Sequence, residues 1–167
     1  SASEIYPLSL PDALPIYKTQ QPYQTRGNME KPDLSLIVVD DMESSRRVAE
    51  AALKNAGYED IRVASSGDEV LEVLKERRAD VVLADWIMPE MDGLTLTDNI
   101  RQLDEELNRY TAIILFTAKE GIEHLVEAFD RGVDDYLNKP IDHDELAARV
   151  YAAGRITLLQ NTLLYRK

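Results

Sequence analysis

Leu36-Ile-Val-Val-Asp-Asp41 and Val81-Val-Leu-Ala-Asp85 are the stretches of this sequence that decide its fold. In each, a short apolar run ends directly in carboxylates. Ile113-Ile-Leu-Phe-Thr117 ends in a hydroxyl in the same way, and Val133-Asp-Asp-Tyr-Leu-Asn-Lys139 ends in an ammonium group. Continuous apolar runs of this length are typical of strands that are buried on both faces of a parallel sheet.

Strand and helix patterns alternate along the chain from residue 34. The predicted strands cover 34–39, 61–64, 80–84, 111–116 and 133–138. The predicted helices cover 44–56, 67–77, 93–104, 119–131 and 142–160, and Ser44 is a plausible N-cap of the first of them. Strands that alternate with helices predict an α/β protein of the (βα)5 type, with a doubly wound five-stranded parallel sheet and helices on both faces.

Composition narrows the possible functions. The chain has 167 residues, a net charge of −12, no cysteine and two histidines, so disulfides, thiol chemistry and a histidine-rich zinc site are disfavoured. The acidity disfavours direct binding to nucleic acid or to an anionic membrane. No apolar stretch approaches the roughly 20 residues that span a bilayer, and no signal peptide is evident. A cytoplasmic location is therefore expected.

Residues 1–29 do not continue the alternating pattern. They contain four of the seven prolines, and their charged residues sum to zero. The stretch Ser9-Leu-Pro-Asp-Ala-Leu-Pro-Ile16 resembles translated adaptor sequence, so this leader is either artefactual or a natural disordered tail. The folded domain is expected at residues 30–153.

Residues 154–167 are expected to extend the last helix. Ile156, Leu159 and Leu163 lie at coiled-coil spacing, although the pattern spans barely one heptad. One interpretation is a linker to a missing output domain or to a dimer partner. The alternative is a frayed end of the helix.

The polar residues at the predicted strand ends suit phosphoryl chemistry. Carboxyl ends of neighbouring parallel strands converge on one crevice, where such sheets bind ligands. Asp40, Asp41 and Asp85 offer the oxygen ligands that Mg²⁺ or Mn²⁺ prefers. Lys139 adds a positive charge and Thr117 a hydrogen-bond donor, as phosphoryl transfer requires. Taken singly, each residue is equally compatible with a loop, a turn or a helix cap.

Four segments together make the pattern specific. They are Val38-Val-Asp-Asp41, Asp85-Trp-Ile-Met-Pro-Glu-Met-Asp-Gly93, Thr117-Ala118 and Asp134-Asp-Tyr-Leu-Asn-Lys-Pro140. In this order and spacing they resemble the response-regulator receiver domain of two-component, histidine–aspartate phosphorelay signalling. The resemblance covers roughly residues 34–153 and implies a flavodoxin-like sheet with strand order 2-1-3-4-5.

The resemblance implies roles for the three aspartates and for the residues that influence dephosphorylation. Asp85 is the implied phosphoacceptor. Asp40 and Asp41 are implied to bind Mg²⁺ together with the Asp85 carboxylate and the backbone carbonyl of Ile87. Ile87 and Lys119 occupy positions that influence dephosphorylation in this family, and because isoleucine cannot hydrogen-bond an attacking water, a long-lived phosphoryl state is expected.

The resemblance also implies how the site changes state. Lys139 is implied to contact the phosphoryl group, and its bond to Pro140 is expected to be cis. Thr117 and Tyr136 match the switch pair, in which the hydroxyl moves toward the phosphoryl group and the aromatic ring follows inward. The surface formed by the fourth helix, the fifth strand and the fifth helix is then expected to change its affinity for partners.

The implied function is a phosphorylation-activated switch rather than an enzyme. A sensor histidine kinase or a phosphotransfer protein would donate the phosphoryl group. An output domain, a protein target or a second copy of the chain would receive the signal. The rivals are an Mg²⁺-dependent phosphohydrolase and a degenerate receiver. The phosphohydrolase is disfavoured because Ile87 occupies the position where that class usually has an acidic residue. The degenerate receiver is disfavoured because Asp40, Asp41, Asp85, Thr117 and Lys139 are all present.

Overall fold

The computed structural model describes residues 33–118 and 122–165, which form five parallel strands and five helices. The expectations for residues 1–29, for 119–121 and for the last two residues lie outside this part of the chain. The strands are β1 Ser35–Val39, β2 Asp60–Ala64, β3 Val81–Asp85, β4 Ala112–Thr117 and β5 Asp135–Asn138. The helices are α1 Glu43–Asn55, α2 Gly67–Glu76, α3 Gly93–Leu107, α4 Ile122–Asp130 and α5 His143–Tyr165.

The sheet has the strand order β2-β1-β3-β4-β5 with all neighbours parallel, which confirms the predicted (βα)5 fold and its order. Successive residues of a strand point to opposite faces of the sheet. In β1, Ile37 and Val39 enter one apolar cluster, whereas Leu36 and Val38 enter the other. The uninterrupted apolar runs are therefore explained by two cores, one on each face.

Different helices cover the two faces. Buried residues of α2 and α3, together with Ala128 of α4, pack in the cluster that contains Val39. Buried residues of α1 and α5 pack in the cluster that contains Leu36. Among the described helices, even the 23-residue α5 is not apolar enough over its length to cross a bilayer.

The register of the sheet brings the polar strand ends to one edge. Val39 is paired with Ala84, so Asp40 and Asp85 each follow the same pair. Asp85 itself pairs with Phe116, the residue before Thr117. Thr117 pairs with Asn138, and Lys139 follows. The side chains of Asp40, Asp41, Asp85, Thr117 and Lys139, which were predicted to act together, therefore all lie at the carboxyl edge of the sheet.

The helix ends agree with the sequence at some positions and differ at others. Ser66 caps α2 by accepting a hydrogen bond from the backbone N–H of Glu69. Ser44, which the sequence indicated as a plausible cap, lies inside α1, and Met42 precedes that helix without a side-chain cap. α3 continues three residues further than predicted and ends at Leu107, and the following Asn108 adopts the left-handed conformation common at helix ends.

A buried polar cluster fixes the edge of the sheet opposite the carboxylates. The Arg101 guanidinium donates hydrogen bonds to the carbonyls of Thr111 and Gly132 and pairs with Asp104 and Asp134. Asp134 also accepts from the backbone N–H of Ile113, and the Asp134 N–H donates to the carbonyl of the same residue. These contacts turn Asp134 toward β4, and β5 therefore begins at Asp135 rather than at residue 133 as predicted.

α5 packs on the domain well beyond residue 153. Thr157 is buried, donates to the Asp80 carbonyl and accepts from the backbone N–H of Ala112. Asn161 forms two hydrogen bonds with the backbone of Tyr110, at 2.8 and 3.2 Å. The first turns of the predicted extension are thus held against the ends of β3 and β4, whereas Leu159 and Leu163 are exposed.

Gly93, the first residue of α3, is tightly surrounded, and this closeness yields a prediction. An added Cβ would lie 2.8 Å from the Asp85 carbonyl oxygen and 3.1 Å from Trp86 Cα, and neither backbone atom can move freely. We expect Gly93→Ala to lower the free energy of unfolding in urea by about 1–3 kcal/mol, although alanine favours helices. Gly67→Ala at the start of α2 is the matched control, since its Cβ would meet only the flexible end of Met91. Equal losses in both variants would contradict this explanation.

Candidate functional site

Three carboxylates meet at the carboxyl edge of the sheet. Ligand oxygens of Asp40, Asp41 and Asp85 all lie within 4.8 Å of one another. Asp40 and Asp41 follow β1, and Asp85 is the last residue of the neighbouring strand β3. The sheet register described above therefore concentrates three negative charges in a small volume.

Asp40 is held in place at every polar atom. Its N–H donates to the Ala64 carbonyl, and its own carbonyl accepts from Arg46 Nη1 at 2.8 Å. One carboxylate oxygen accepts from the Met42 N–H at 2.9 Å, and the other accepts from Lys139 Nζ at 3.1 Å. Only 3% of Asp40 is exposed. Its orientation is thus determined by groups on four different segments.

Lys139 bridges two of the carboxylates. Its ammonium nitrogen lies 3.1 Å from Asp40 Oδ2 and 3.4 Å from Asp85 Oδ1. The Lys139 N–H also donates to the Thr117 carbonyl, which fixes the lysine backbone against β4. The peptide bond between Lys139 and Pro140 is cis, as expected.

Burial raises the pKa of the Asp85 carboxyl. The positive charge of Lys139 opposes this increase, whereas the negative charges of Asp40 and Asp41 add to it. Only 13% of the Asp85 side chain is exposed, so water screens these charges poorly. The ionised form of Asp85 is therefore held in an environment that disfavours it.

The two residues of the predicted switch pair lie on the neighbouring strands β4 and β5. Thr117 is the last residue of β4 and is 1% exposed. Tyr136 lies in β5 opposite Leu115 and is half-buried. The Tyr136 ring meets Phe129 of α4 edge to face, with the ring centroids 6.2 Å apart. Phe129 is a neighbour of Tyr136 that the sequence pattern did not indicate.

The site is open on the side of the loop between β3 and α3. Ile87 lies in this loop, two residues after Asp85, and 63% of it is exposed. Asp41 is also exposed. A groove runs beside the site between α1 and the loop that follows β5, and it is lined by Ser44, Ser45, Val48, Lys139, Pro140 and Ile141. The carboxylates are therefore bordered by an exposed loop on one side and by this groove on another.

The sequence did not single out two residues that contact the site. Arg46 binds the backbone carbonyl of Asp40, as described above. Trp86 follows Asp85, is 1% exposed, and meets the ring of His124 edge to face at 6.4 Å. The only signal for Arg46 is its position in the first turn of α1, five residues after Asp41, and such spacing does not tell which rotamer is adopted.

The donor set suits a hard divalent cation. Carboxylate oxygens with no nitrogen or sulfur ligands among them are the ligands that Mg²⁺ prefers. Asp41 and Asp85 have carboxylate oxygens available, while both oxygens of Asp40 already accept hydrogen bonds. A cation would also relieve the repulsion among the three carboxylates.

Comparisons with known proteins agree with this geometry. A family model described as the response regulator receiver domain matches residues 36–151. The chain is 35% identical over 108 residues to "Chemotaxis protein CheY-3" of Vibrio cholerae, covering 65% of this chain and 82% of that one. It is similar to the "Francisella response regulator 1452 receiver domain" with a TM-score of 0.66 and 31% identity, covering 74% of this chain and 98% of that structure.

Other relatives are longer than this chain. The chain is 33% identical over 132 residues to "Response regulator PleD" of Caulobacter vibrioides, which covers 79% of this chain but only 28% of that protein. The match to "Response regulator MprA" of Mycobacterium ulcerans, at 34% identity, covers 52% of that protein. The chain thus spans about a quarter to a half of these relatives.

The raised pKa of Asp85 predicts a stability effect. A carboxyl whose pKa is higher in the folded state destabilises the fold as the pH rises through that pKa. We expect Asp85→Asn to raise the Tm without metal at pH 7 by roughly 2–4 °C, the shift that about 1 kcal/mol produces in a domain of this size. The gain should disappear near pH 3, where the carboxyl is protonated in both states.

The response of the Tm to Mg²⁺ provides a second test with the same variant. Mg²⁺ should raise the Tm of the unaltered chain, because it binds the folded state, and should raise that of Asp85→Asn less. Glu106→Gln, which neutralises an exposed carboxylate of α3, serves as the control and should retain the full Mg²⁺ response. A lower Tm of Asp85→Asn at pH 7 would contradict the inferred strain.

Proposed function

Because the chain belongs to the response regulator receiver family, we propose that it is a cytoplasmic phosphorylation switch in which Asp85 accepts the phosphoryl group. Response regulators receive phosphoryl groups from histidine kinases in two-component signalling, and the receiver family binds Mg²⁺ in an acidic pocket. The assignment of these roles to particular residues of this chain is the content of the proposal.

The observation that carries the proposal is the environment of Asp85. It is the carboxylate that lies beside Asp40 and Asp41, contacts Lys139, and opens toward the exposed loop. Because Asp85 is largely buried and its pKa is raised, its carboxylate is more basic and less well solvated than that of an exposed aspartate, which favours attack on phosphorus. Asp85 is therefore suited to be the nucleophile.

The proposed reaction is one in-line displacement. A carboxylate oxygen of Asp85 attacks the phosphorus of a phosphohistidine, the O–P bond forms and the N–P bond breaks, and the imidazole leaves with its electron pair. Lys139 stabilises the charge on the phosphoryl oxygens. The Thr117 hydroxyl donates a hydrogen bond to one of them.

Mg²⁺ would be held by the carboxylates of Asp41 and Asp85, with Asp40 behind them and the backbone carbonyl of Ile87 at the loop. When bound, the ion neutralises charge on the phosphoryl oxygens and orients them. Asp40 contributes by holding Lys139 at the other side of Asp85. Mn²⁺ fits the same ligands.

The proposed switch runs through β4 and β5. In the phosphorylated state Thr117 is drawn toward Asp85 and Tyr136 turns inward, which changes the surface formed by α4, β5 and α5. The contact of Tyr136 with Phe129 supports this route, because any rotation of the tyrosine ring alters its packing on α4. The shift needs contacts that differ between the two states, and these aromatic contacts can supply them.

The proposed partners follow from the same geometry. A histidine kinase or a phosphotransfer protein would present its phosphohistidine over the groove between α1 and the loop after β5. The signal would pass to an output domain, a protein target or a second copy of the chain. A phosphohydrolase is disfavoured, because the exposed Ile87 cannot serve as the acid or base for a second step.

Phosphorylation by a small donor tests the proposal directly. After incubation with acetyl phosphate and Mg²⁺, intact mass should show a single phosphoryl adduct on the unaltered chain. The adduct should be absent in Asp85→Asn and retained in Asp144→Asn, a control on an exposed carboxylate of α5. An adduct that survives in Asp85→Asn, or steady turnover of unrelated phosphate esters, would overturn the assignment.

The exposed Ile87 predicts slow loss of the phosphoryl group. Its side chain cannot hold an attacking water by a hydrogen bond, whereas an amide can. We expect the phosphorylated Ile87→Asn variant to decay roughly three- to tenfold faster, less than full general base catalysis gives, because the amide orients the water without deprotonating it. Decay is measured by intact mass after the donor is removed.

Ile87→Leu is the matched control for this prediction. It keeps an apolar group of the same size at the same place, and its decay should equal that of the unaltered chain. Acceleration by leucine as large as that by asparagine would show that shape, rather than hydrogen bonding, controls access of water.

A further inference from the structure

Arg46 contacts the acidic site without contacting its carboxylates. Its Nη1 donates to the backbone carbonyl of Asp40 at 2.8 Å, and the side chain is half-buried. Within the described residues, no carboxylate oxygen of Asp40, Asp41 or Asp85 forms a salt bridge with Arg46. The arginine therefore acts on the backbone between the two aspartates rather than on their charged ends.

The peptide unit that Arg46 binds links two of the three carboxylate residues of the site. It joins Asp40 to Asp41, so a hydrogen bond to its carbonyl restrains the ψ angle of Asp40 and the φ angle of Asp41 together. The Ala64 carbonyl holds the N–H of Asp40, and Met42 holds one carboxylate oxygen. The carbonyl is the remaining polar atom of the Asp40 backbone, and Arg46 is its partner.

Asp41 has less support of its own. It is exposed and lies between the buried Asp40 and the residue before α1. A change in these two backbone angles that is not compensated elsewhere would shift the Cα atom of Asp41, and its carboxylate with it, relative to Asp85. A restraint on this plane is thus a restraint on the cation ligand that is least fixed by packing.

We propose that Arg46 is a positioning residue for the divalent cation: its hydrogen bond to the Asp40 carbonyl fixes the Asp40–Asp41 peptide plane and so keeps the Asp41 carboxylate directed toward Asp85. The inference rests on the proposed function, since it concerns the cation of that site. Groups that orient metal ligands typically change metal affinity by roughly 10–100-fold when removed.

The positioning role and the charge of Arg46 predict opposite results. A guanidinium near the site repels a divalent cation, so its removal would tighten cation binding if charge alone mattered. If the hydrogen bond matters, its removal weakens binding in spite of the more negative site. The direction of the change therefore distinguishes the two explanations.

Arg47 offers a matched control on the same helix. It is the next residue of α1, carries the same charge, and pairs with Glu43 at 2.6 Å on the exposed surface. Arg46→Met and Arg47→Met each remove one positive charge and the hydrogen-bond donors while they keep an unbranched side chain. Arg46→Lys keeps a charge and a donor and tests for rescue.

The experiment measures Mg²⁺ and Mn²⁺ binding to the full chain by calorimetry. We expect Arg46→Met to raise the Kd for Mg²⁺ about tenfold, Arg47→Met to leave it unchanged or slightly lower, and Arg46→Lys to fall between. The initial rate with acetyl phosphate should fall at low Mg²⁺ and recover when Mg²⁺ saturates the site. Without metal, amide exchange in residues 40–42 should be faster in Arg46→Met.

Several results would overturn the inference. They are unchanged or tighter Mg²⁺ binding by Arg46→Met, equal weakening by Arg47→Met, or a rate deficit that saturating Mg²⁺ does not repair. If the unaltered chain bound no Mg²⁺ and formed no adduct on Asp85, the proposed function would fail, and this inference with it. If the unaltered chain did both and Arg46→Met matched it, only the role of Arg46 would fail.

Discussion

Mutual repulsion of the carboxylates at the edge of the sheet is the constraint on which the rest of the site depends. The parallel register places Asp40, Asp41 and Asp85 within 4.8 Å, and burial denies Asp85 the water that would screen them. Lys139 lies against two of the three and offsets part of the cost. The net effect on Asp85 is still a raised pKa, so one cation is insufficient. This remaining repulsion favours the binding of a divalent cation.

Lys139 can balance these charges only if β5 is held in register, and the opposite edge of the sheet provides the restraint. Asp134 is fixed by Arg101 and by the backbone of Ile113 at the start of β5. The same part of the sheet is bound by Asn161 of α5 through the backbone of Tyr110. A polar network far from the carboxylates thus positions the strand that carries the lysine.

The sequence predicted the parts of this arrangement that follow from periodic patterns. Continuous apolar runs identified the buried strands, and parallel geometry then required their polar ends to converge. The sequence did not predict the hydrogen bond of Arg46 to the Asp40 carbonyl, the ring contact between Trp86 and His124, or the hydrogen bond of Thr157 to the Asp80 carbonyl. The prediction that Ser44 is an N-cap was wrong, because α1 begins at Glu43 and Ser44 lies inside it. Such contacts depend on the rotamer of one side chain or on segments that are distant in the sequence, and neither produces a periodic pattern of residues.

Of the two aspartates after β1, one is held rigidly and the other is accessible. Asp40 is buried with each polar atom bound, so it cannot adapt when a ligand arrives. Asp41 and Ile87 are exposed and border the side from which a cation or water can reach the carboxylates. In the proposed switch, the water that removes the phosphoryl group would have to pass these exposed residues. Under this proposal, the lifetime of the phosphoryl group would be set by exposed side chains such as that of Ile87 rather than by the buried carboxylate of Asp40, so the entrance could change without disturbing the charge balance beneath it.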